Sequence, residues 1–130
     1  MSAGVLLLTH EGVGNALIAA ARHVMPQLPL KVAAMEVPAD AEVAAMNDDA
    51  SRLLRQLDSG EGVLVLSDLY GATPCNIGLA LEDHGARIRC VSGLNLPMLL
   101  RVMNYADQSL ADLAEIAASG GRRGIFIDHA

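Results

Sequence analysis

Two residues in this sequence stand where an α/β protein can do chemistry. His10 closes an apolar run from Ala3 to Thr9, and Asp68 follows a second, Val63-Leu64-Val65-Leu66-Ser67. Both runs read as strands buried on both faces, and each gives way to a glycine-bearing turn and then a helix. Open α/β sheets bind their ligands at the carboxyl ends of strands. A neutral imidazole, with an ordinary pKa of about 6.5, is a nucleophile near neutral pH. A carboxylate bonded to one ring nitrogen fixes the tautomer, aims the other nitrogen's lone pair outward, and stabilises the cation formed on attack. The expectation is that His10 and Asp68 face each other.

The surroundings suggest the electrophile. One helix starts near Gly12-Val13-Gly14 and another at Thr73-Pro74, where Thr73 is a good N-cap and Pro74 suits the first turn. Free N–H groups and the positive dipole ends of two helices suit a phosphoryl group. Thr73 adds a hydroxyl, and Gly12, Gly14 and Gly71 let backbone approach closely. Ser92-Gly93-Leu94-Asn95 forms a third rim. The sequence has no GxxxxGK[ST] loop, so the phosphoryl group is expected from another protein or a small donor rather than a nucleotide. No metal or organic cofactor is expected. Taken singly, His10 reads as a surface turn residue, Asp68 as a turn or cap residue, and Asn76 and Asn95 as turn stabilisers. His23, His84 and His129 read as helix-face, turn and tail residues. The case for chemistry rests on placement at the ends of three strands.

Those ends are positioned by an alternating pattern. Helices are expected over Val13–Met25, closed by Pro26 and Pro29, and from an Asp40 cap to Leu57 with Val43, Met46, Leu53, Leu54 and Leu57 inward. A third runs from Pro74 to Glu82, ended by His84-Gly85. Met98–Met103 follows, and then a helix capped by Ser109 that runs to Ala118 and is broken by Ser119-Gly120-Gly121. Strands are expected at Leu30–Val37 and Arg87–Ser92 besides the two above, with a short last strand at Gly124–Asp128. Such alternation gives a doubly wound α/β sandwich of three layers. Its sheet is mostly parallel, of order 2-1-3-4, with a short antiparallel fifth strand at the C-terminus. In that order His10 and Asp68 end neighbouring strands at the topological switch point. Residues 1–130 read as one domain.

Composition agrees. The chain is 52% hydrophobic, with aromatics only at Tyr70, Tyr105 and Phe126, so the core must be aliphatic. Its net charge of −6 and the lack of a basic stripe argue against nucleic acid. Cys75 and Cys90 fit no CxxC pattern and read as reduced thiols. No signal peptide core or membrane-length apolar run is present, which fits a cytoplasmic protein.

The segments LLLTHEGVGNALIAAA, GVLVLSDLYGATPCNIG and VSGLNLPMLLR together resemble the EIIA component of the mannose family of the bacterial phosphoenolpyruvate:sugar phosphotransferase system (PTS). The most specific parts are the Thr-His after the first strand, the DLxGxxPxN turn and SGxNLPMLL. The resemblance covers essentially the whole chain. It implies a histidine, here His10, that takes a phosphoryl group from the phosphocarrier HPr and passes it to an EIIB, with Asp68 in support. A hydroxyl in the same turn, commonly Ser, falls on Thr73; Gly71 and Gly12 complete the phosphoryl site. The resemblance also implies a homodimer, in some members with an exchanged last strand, and association with a membrane permease only through partners. Two positions depart from the pattern: Glu11 where Gly is common, and Gly71-Ala72-Thr73 where Gly-Gly-Ser is common. No EIIB segment follows within the 130 residues, so EIIB and permease are expected as separate chains. Three other readings stay open here: the phosphotransfer subunit of a dihydroxyacetone kinase, a regulatory phosphoprotein without transport, and a small-ligand-binding module.

Overall fold

The computed structural model of the chain describes residues 2–81 and 87–128, which leaves the expected His84-Gly85 helix end and His129 outside the described residues. The two most apolar strands lie in the middle of a four-stranded sheet. β1 (Gly4–His10) and β3 (Val63–Ser67) are neighbours, β2 (Val32–Val37) lies outside β1, and β4 (Ile88–Ser92) lies outside β3. Every pairing is parallel, with Leu8 opposite Ser67 and His10 opposite Val37. The order 2-1-3-4 is the one expected.

Parallel neighbours need long crossovers, and helices supply them. They are α1 (Gly14–Val24), α2 (Val43–Leu57) and α3 (Thr73–Leu81), followed by α4 (Leu96–Asn104) and α5 (Leu110–Arg123). Successive strand residues point to opposite faces, so one run of leucines feeds two cores. Val5, Leu7, Leu64 and Leu66 belong to the core shared with Ile18, Leu99, Val102 and Leu113 of α1, α4 and α5. Leu6, Leu8, Val63 and Val65 belong to the core shared with Leu54, Leu57, Ile77 and Leu81 of α2 and α3. Each such side chain contributes about 1.5–3 kcal/mol by leaving water. The central strands are thereby anchored along their length, and within them only His10, at the carboxyl tip of β1, is exposed. Among the described residues no helix is long and apolar enough to cross a membrane.

Several local expectations are corrected. Asp40 does not cap α2: a turn closed by Ala41 N–H on the Pro38 carbonyl delays the helix to Val43, with Glu42 at the cap position and no side chain accepting. Val43 is consequently exposed rather than inward, and Ala50 joins Leu54 and Leu57 as the buried stripe. Ser119-Gly120-Gly121 does not break α5. A Cβ on Gly120 would stand 2.6 Å from the Cβ and Cγ of Arg101, and one on Gly121 2.9 Å from Met98 Cε, so these glycines let α5 lie close on α4. Because α5 runs on to Arg123, where Gly124 N–H closes it on the Gly120 carbonyl, the expected fifth strand is absent among the described residues. Residues 125–128 pair with none of the four strands, and Ile125, Phe126 and Ile127 are 74–84% exposed.

Candidate active site

His10 is the last residue of β1 and Asp68 the first after β3, and the ladder between these strands brings them together. Asp68 Oδ2 lies 2.9 Å from His10 Nδ1 and also accepts the His10 backbone N–H at 3.0 Å. A carboxylate can only accept, so in the neutral ring Nδ1 carries the hydrogen and Nε2 presents its lone pair. The His10 side chain is 49% exposed and that of Asp68 13%, which leaves the imidazole open to a macromolecular partner and its support screened. The second oxygen, Asp68 Oδ1, is buried and has no hydrogen-bond partner among the described residues.

The turn after His10 differs from expectation. Gly12 has a φ of +90°, a conformation glycine adopts without strain, but its N–H is not free. It donates to Glu36 Oε1 at 3.1 Å, and Asn15 N–H donates to Glu36 Oε2 at 3.0 Å. Gly14 N–H donates to Thr9 Oγ1 at 2.9 Å, that hydroxyl donates to the His10 carbonyl at 2.8 Å, and Val13 N–H reaches the same carbonyl at 3.3 Å. The positive end of α1 is therefore filled by an acid of the protein itself, and Gly12 is a turn residue with no amide to offer a ligand. The backbone N–H of Asn15, then that of Gly12, holds the Glu36 carboxyl below its ordinary range. Glu36 had no place among the residues singled out from the sequence. The signal was there: it is the one charged residue of the strand Val-Ala-Ala-Met-Glu-Val.

The second helix start is different. Asp68 leads into a turn closed by Ala72 N–H on the Leu69 carbonyl, with Gly71 at φ +84° and its carbonyl 3.4 Å from Asn76 Nδ2. Thr73 is the first residue of α3, not its cap. It is exposed, and its hydroxyl makes no hydrogen bond among the described residues. The amides of Thr73 and Cys75 likewise have no acceptor among the described residues, and Pro74 has no N–H. Of the two helix starts, α3 offers open donors and α1 does not. Glu11, beside His10, is exposed.

The third rim is structural. Ser67 Oγ donates to Ser92 Oγ at 2.8 Å, and Cys75 Sγ lies 3.3 Å from the same oxygen. Gly93 and Leu94 N–H both donate to the Ser67 carbonyl at 3.0 Å. Asn95 caps α4 by accepting Met98 N–H at 2.9 Å and donates to the Gly121 carbonyl of α5 at 3.1 Å. This network ties β3, β4 and α3 together behind the Asp68 turn. Burial works against ionising the Cys75 thiol, but hydrogen bonds with Ser92, the Gly71 backbone and Ser67 outweigh it and hold it below the ordinary thiol range. A hollow of about 540 Å³, lined by Arg22, Gln27, Lys31 and Gln56 among others, lies at the amino ends of the strands, away from His10.

Known proteins resemble this chain in sequence and in fold. The family model described as "PTS system fructose IIA component" (EIIA-man) matches residues 4–118. The mannose-specific EIIAB component of the PTS of Escherichia coli K12 is 31% identical over 74 residues, which make up 55% of this chain and 23% of that protein. The matched stretch thus spans under a quarter of that relative's length. Among solved structures, the mannose/sorbose-specific IIA subunit of the phosphotransferase system from Enterococcus faecalis superposes with a TM-score of 0.89 at 22% identity, covering 100% of this chain and 97% of that one. A PTS IIA protein associated with the fucose utilization operon of Streptococcus pneumoniae gives 0.82 at 21% identity, covering 98% and 96%. At such identities the structural likeness is one of fold, and the family assignment comes from the match along most of the sequence. A parallel sheet of order 2-1-3-4 with a histidine–aspartate pair at its switch point, matched from residue 4 to residue 118, places this chain in the EIIA-man family of phosphotransferase system components.

Proposed function

We propose that this protein is a phosphohistidine carrier that takes a phosphoryl group from phospho-HPr onto His10 and passes it to an EIIB component, in the service of sugar uptake or its regulation. The observation that carries the reading is the 2.9 Å contact between His10 Nδ1 and Asp68 Oδ2. It fixes the proton on Nδ1 and leaves Nε2 as the nucleophile. In the forward step the Nε2 lone pair forms a bond to phosphorus while the donor's P–N bond breaks, and the departing imidazole keeps that electron pair. His10 becomes a phosphorylated imidazolium with the proton still on Nδ1, and the Asp68 carboxylate balances its charge. Transfer onward to EIIB reverses these roles. Such in-line exchange needs positioning and charge stabilisation. The amide and hydroxyl of exposed Thr73 supply donors for the phosphoryl oxygens, presented by the turn at Gly71, while Gly12 shapes the turn behind His10. The protein would work in the cytoplasm and meet a membrane permease only through its partners.

A homodimer fits the same reading. Ile125, Phe126 and Ile127 form an exposed apolar tail, and β4 is an edge strand of the sheet. A tail from one copy laid on β4 of another would cover both, and light scattering on a chain shortened after Gly124 tests it, with a monomer expected.

The carrier reading is tested by incubating the protein with phosphoenolpyruvate, enzyme I and HPr and measuring intact mass. The expected result is an acid-labile gain of one phosphoryl group in the wild type and none in His10→Ala. No gain with an HPr shown to be active, or an equal gain in the variant, overturns it.

A further inference from the structure

Glu36 occupies a position that nothing in the proposed chemistry requires and that the geometry nonetheless singles out. It stands beside Thr9 in the β1–β2 ladder, one residue before the partner of His10. Both of its oxygens are engaged by the turn that leaves His10, one by Gly12 N–H and one by Asn15 N–H. A helix N-terminus is a ready anion seat, and phosphate groups commonly fill it. Here the chain has put its own anion there.

We propose that Glu36 is a positioning residue of the phosphoryl-transfer site: it holds the His10 turn against β2 and fills the anion seat of α1, so that a phosphoryl group on His10 is directed to α3. The inference rests on the phosphohistidine reading above. The logic is one of competing donors. With Glu36 removed, the Gly12 and Asn15 amides would open two and five residues beyond His10, at the positive end of a helix. A phosphoryl group drawn toward them would turn the imidazole away from the line of attack. Glu36 also restrains the segment that begins at His10, so the Asp68 contact is met by a ring whose backbone is held from both sides: Asp68 on its N–H, and Thr9 and Val13 on its carbonyl. A carboxylate is needed because both contacts are made by N–H donors. A glutamine accepts with one oxygen and sets an amide nitrogen against the other N–H.

The test compares wild type, Glu36→Ala and Glu36→Gln, with sodium formate as the probe that refills the seat. In Glu36→Ala, the amide NMR signals of Gly12 and Asn15 should shift saturably on adding formate, and in wild type they should not. Phosphoryl acceptance from phospho-HPr should fall on the order of tenfold or more in kcat, since small misplacements of reacting groups cost that much or more. The KM for phospho-HPr should stay within about twofold, because the partner's docking surface is unchanged. Formate should restore much of the lost rate in Glu36→Ala and none in Glu36→Gln, where the side chain blocks the seat. A Glu36→Ala variant that transfers at the wild-type rate, or one that is slow but indifferent to formate, overturns the proposal. A wild type that accepts no phosphoryl group removes the carrier reading and the positioning role with it. The formate titration, which involves no transfer, then still decides whether Glu36 fills an anion seat.

Discussion

Replacing Asp68 by Asn keeps the shape of the site and removes one charge. Asp68 Oδ2 accepts two hydrogen bonds from His10, and an asparagine oxygen in the same place can accept both. What is lost is the attraction between a carboxylate and the positive charge that grows on the ring as Nε2 bonds to phosphorus. Two unit charges about 4 Å apart interact by about 1 kcal/mol in water and about 4 kcal/mol at an effective dielectric constant of 20. His10 is half exposed and Asp68 mostly screened, so the attraction falls between these limits, at about 2 kcal/mol. That corresponds to a roughly 30-fold slower transfer.

The orphaned Asp68 Oδ1 shapes the expected stability. With the asparagine oxygen toward His10, its NH2 group takes the buried, unpartnered place, at a cost of about 1–3 kcal/mol for an unsatisfied donor. The Asp68→Asn variant should therefore melt somewhat earlier, and its kinetics must be read well below its transition. Single-turnover acceptance from limiting phospho-HPr, quenched in alkali where phosphohistidine survives, measures the rate. Transfer within about threefold of wild type, with His10→Ala inactive, would show that the Asp68 charge does not act on the reaction and that its part is only to tie down the His10 backbone. A loss beyond about 10³-fold would refute a role limited to charge in the other direction, pointing to an amide turned the wrong way and a wrong tautomer.

Other expected outcomes follow from the same geometry. Thr73→Ala should lower the transfer rate roughly 10- to 100-fold, the worth of a hydrogen bond to a charged group, while leaving the melting temperature nearly unchanged because the hydroxyl is exposed and bonds to none of the described residues. Equal rates in stopped-flow transfer would remove Thr73 from the site. Glu36 gives a pH signature: its carboxyl is held below the ordinary 4.5 by Asn15 and then Gly12 N–H, so its contribution to stability is full above 4.5 and fades as pH falls through the lower folded value. Urea midpoints of wild type and Glu36→Gln should differ at pH 6 and converge in acid; a constant gap would refute the assignment. Gly120→Ala improves helix propensity by about 1 kcal/mol, yet its Cβ would sit 2.6 Å from the Cβ and Cγ of Arg101, near the Arg101 backbone where nothing swings aside. Overpacking of about 1–3 kcal/mol should win, and the melting temperature should fall; a rise would show that α4 and α5 can part freely.

The sequence carried the parts of this fold that depend on neighbours in the chain. Continuous apolar runs marked β1 and β3 because parallel strands at the centre of a sheet have no polar face. Ser109 marked a real helix cap, whereas Asn95, read as a turn stabiliser before a helix at Met98, caps a helix that starts at Leu96. The His10–Asp68 pair was legible because two strand ends of like pattern imply adjacency once the winding order is assumed. What failed depended on partners distant in sequence. Gly120-Gly121 looked like a stop because glycine disfavours helices, and only the closeness of Arg101 and Met98 shows why two glycines are kept within one. Residues 124–128 looked like a strand because their composition is that of one, but a strand needs a partner, and after α5 they pair with none of the four strands.

The two helix starts make the same point about chemistry. In sequence both follow a buried strand with a polar residue, a glycine turn and a small residue, and both promised open amides. They differ in the side chains that meet them: Thr9 takes the Gly14 amide, and a residue on a third strand takes two more. Glu36 reaches from β2 to close α1, while nothing among the described residues reaches across to close α3. Local sequence sets how many donors a helix start presents, but only the packing of its neighbours decides how many remain for a ligand. In the proposed carrier this gives the site a direction, because the helix start that follows His10 is already occupied by an acid and the one that follows Asp68 is not. On the carrier proposal, an incoming dianion would meet repulsion on the first side and donors on the second. The role of Glu36 rests on this asymmetry within the carrier reading, since a phosphoryl group found on the α1 side of His10 would contradict that role while leaving His10 the carrier.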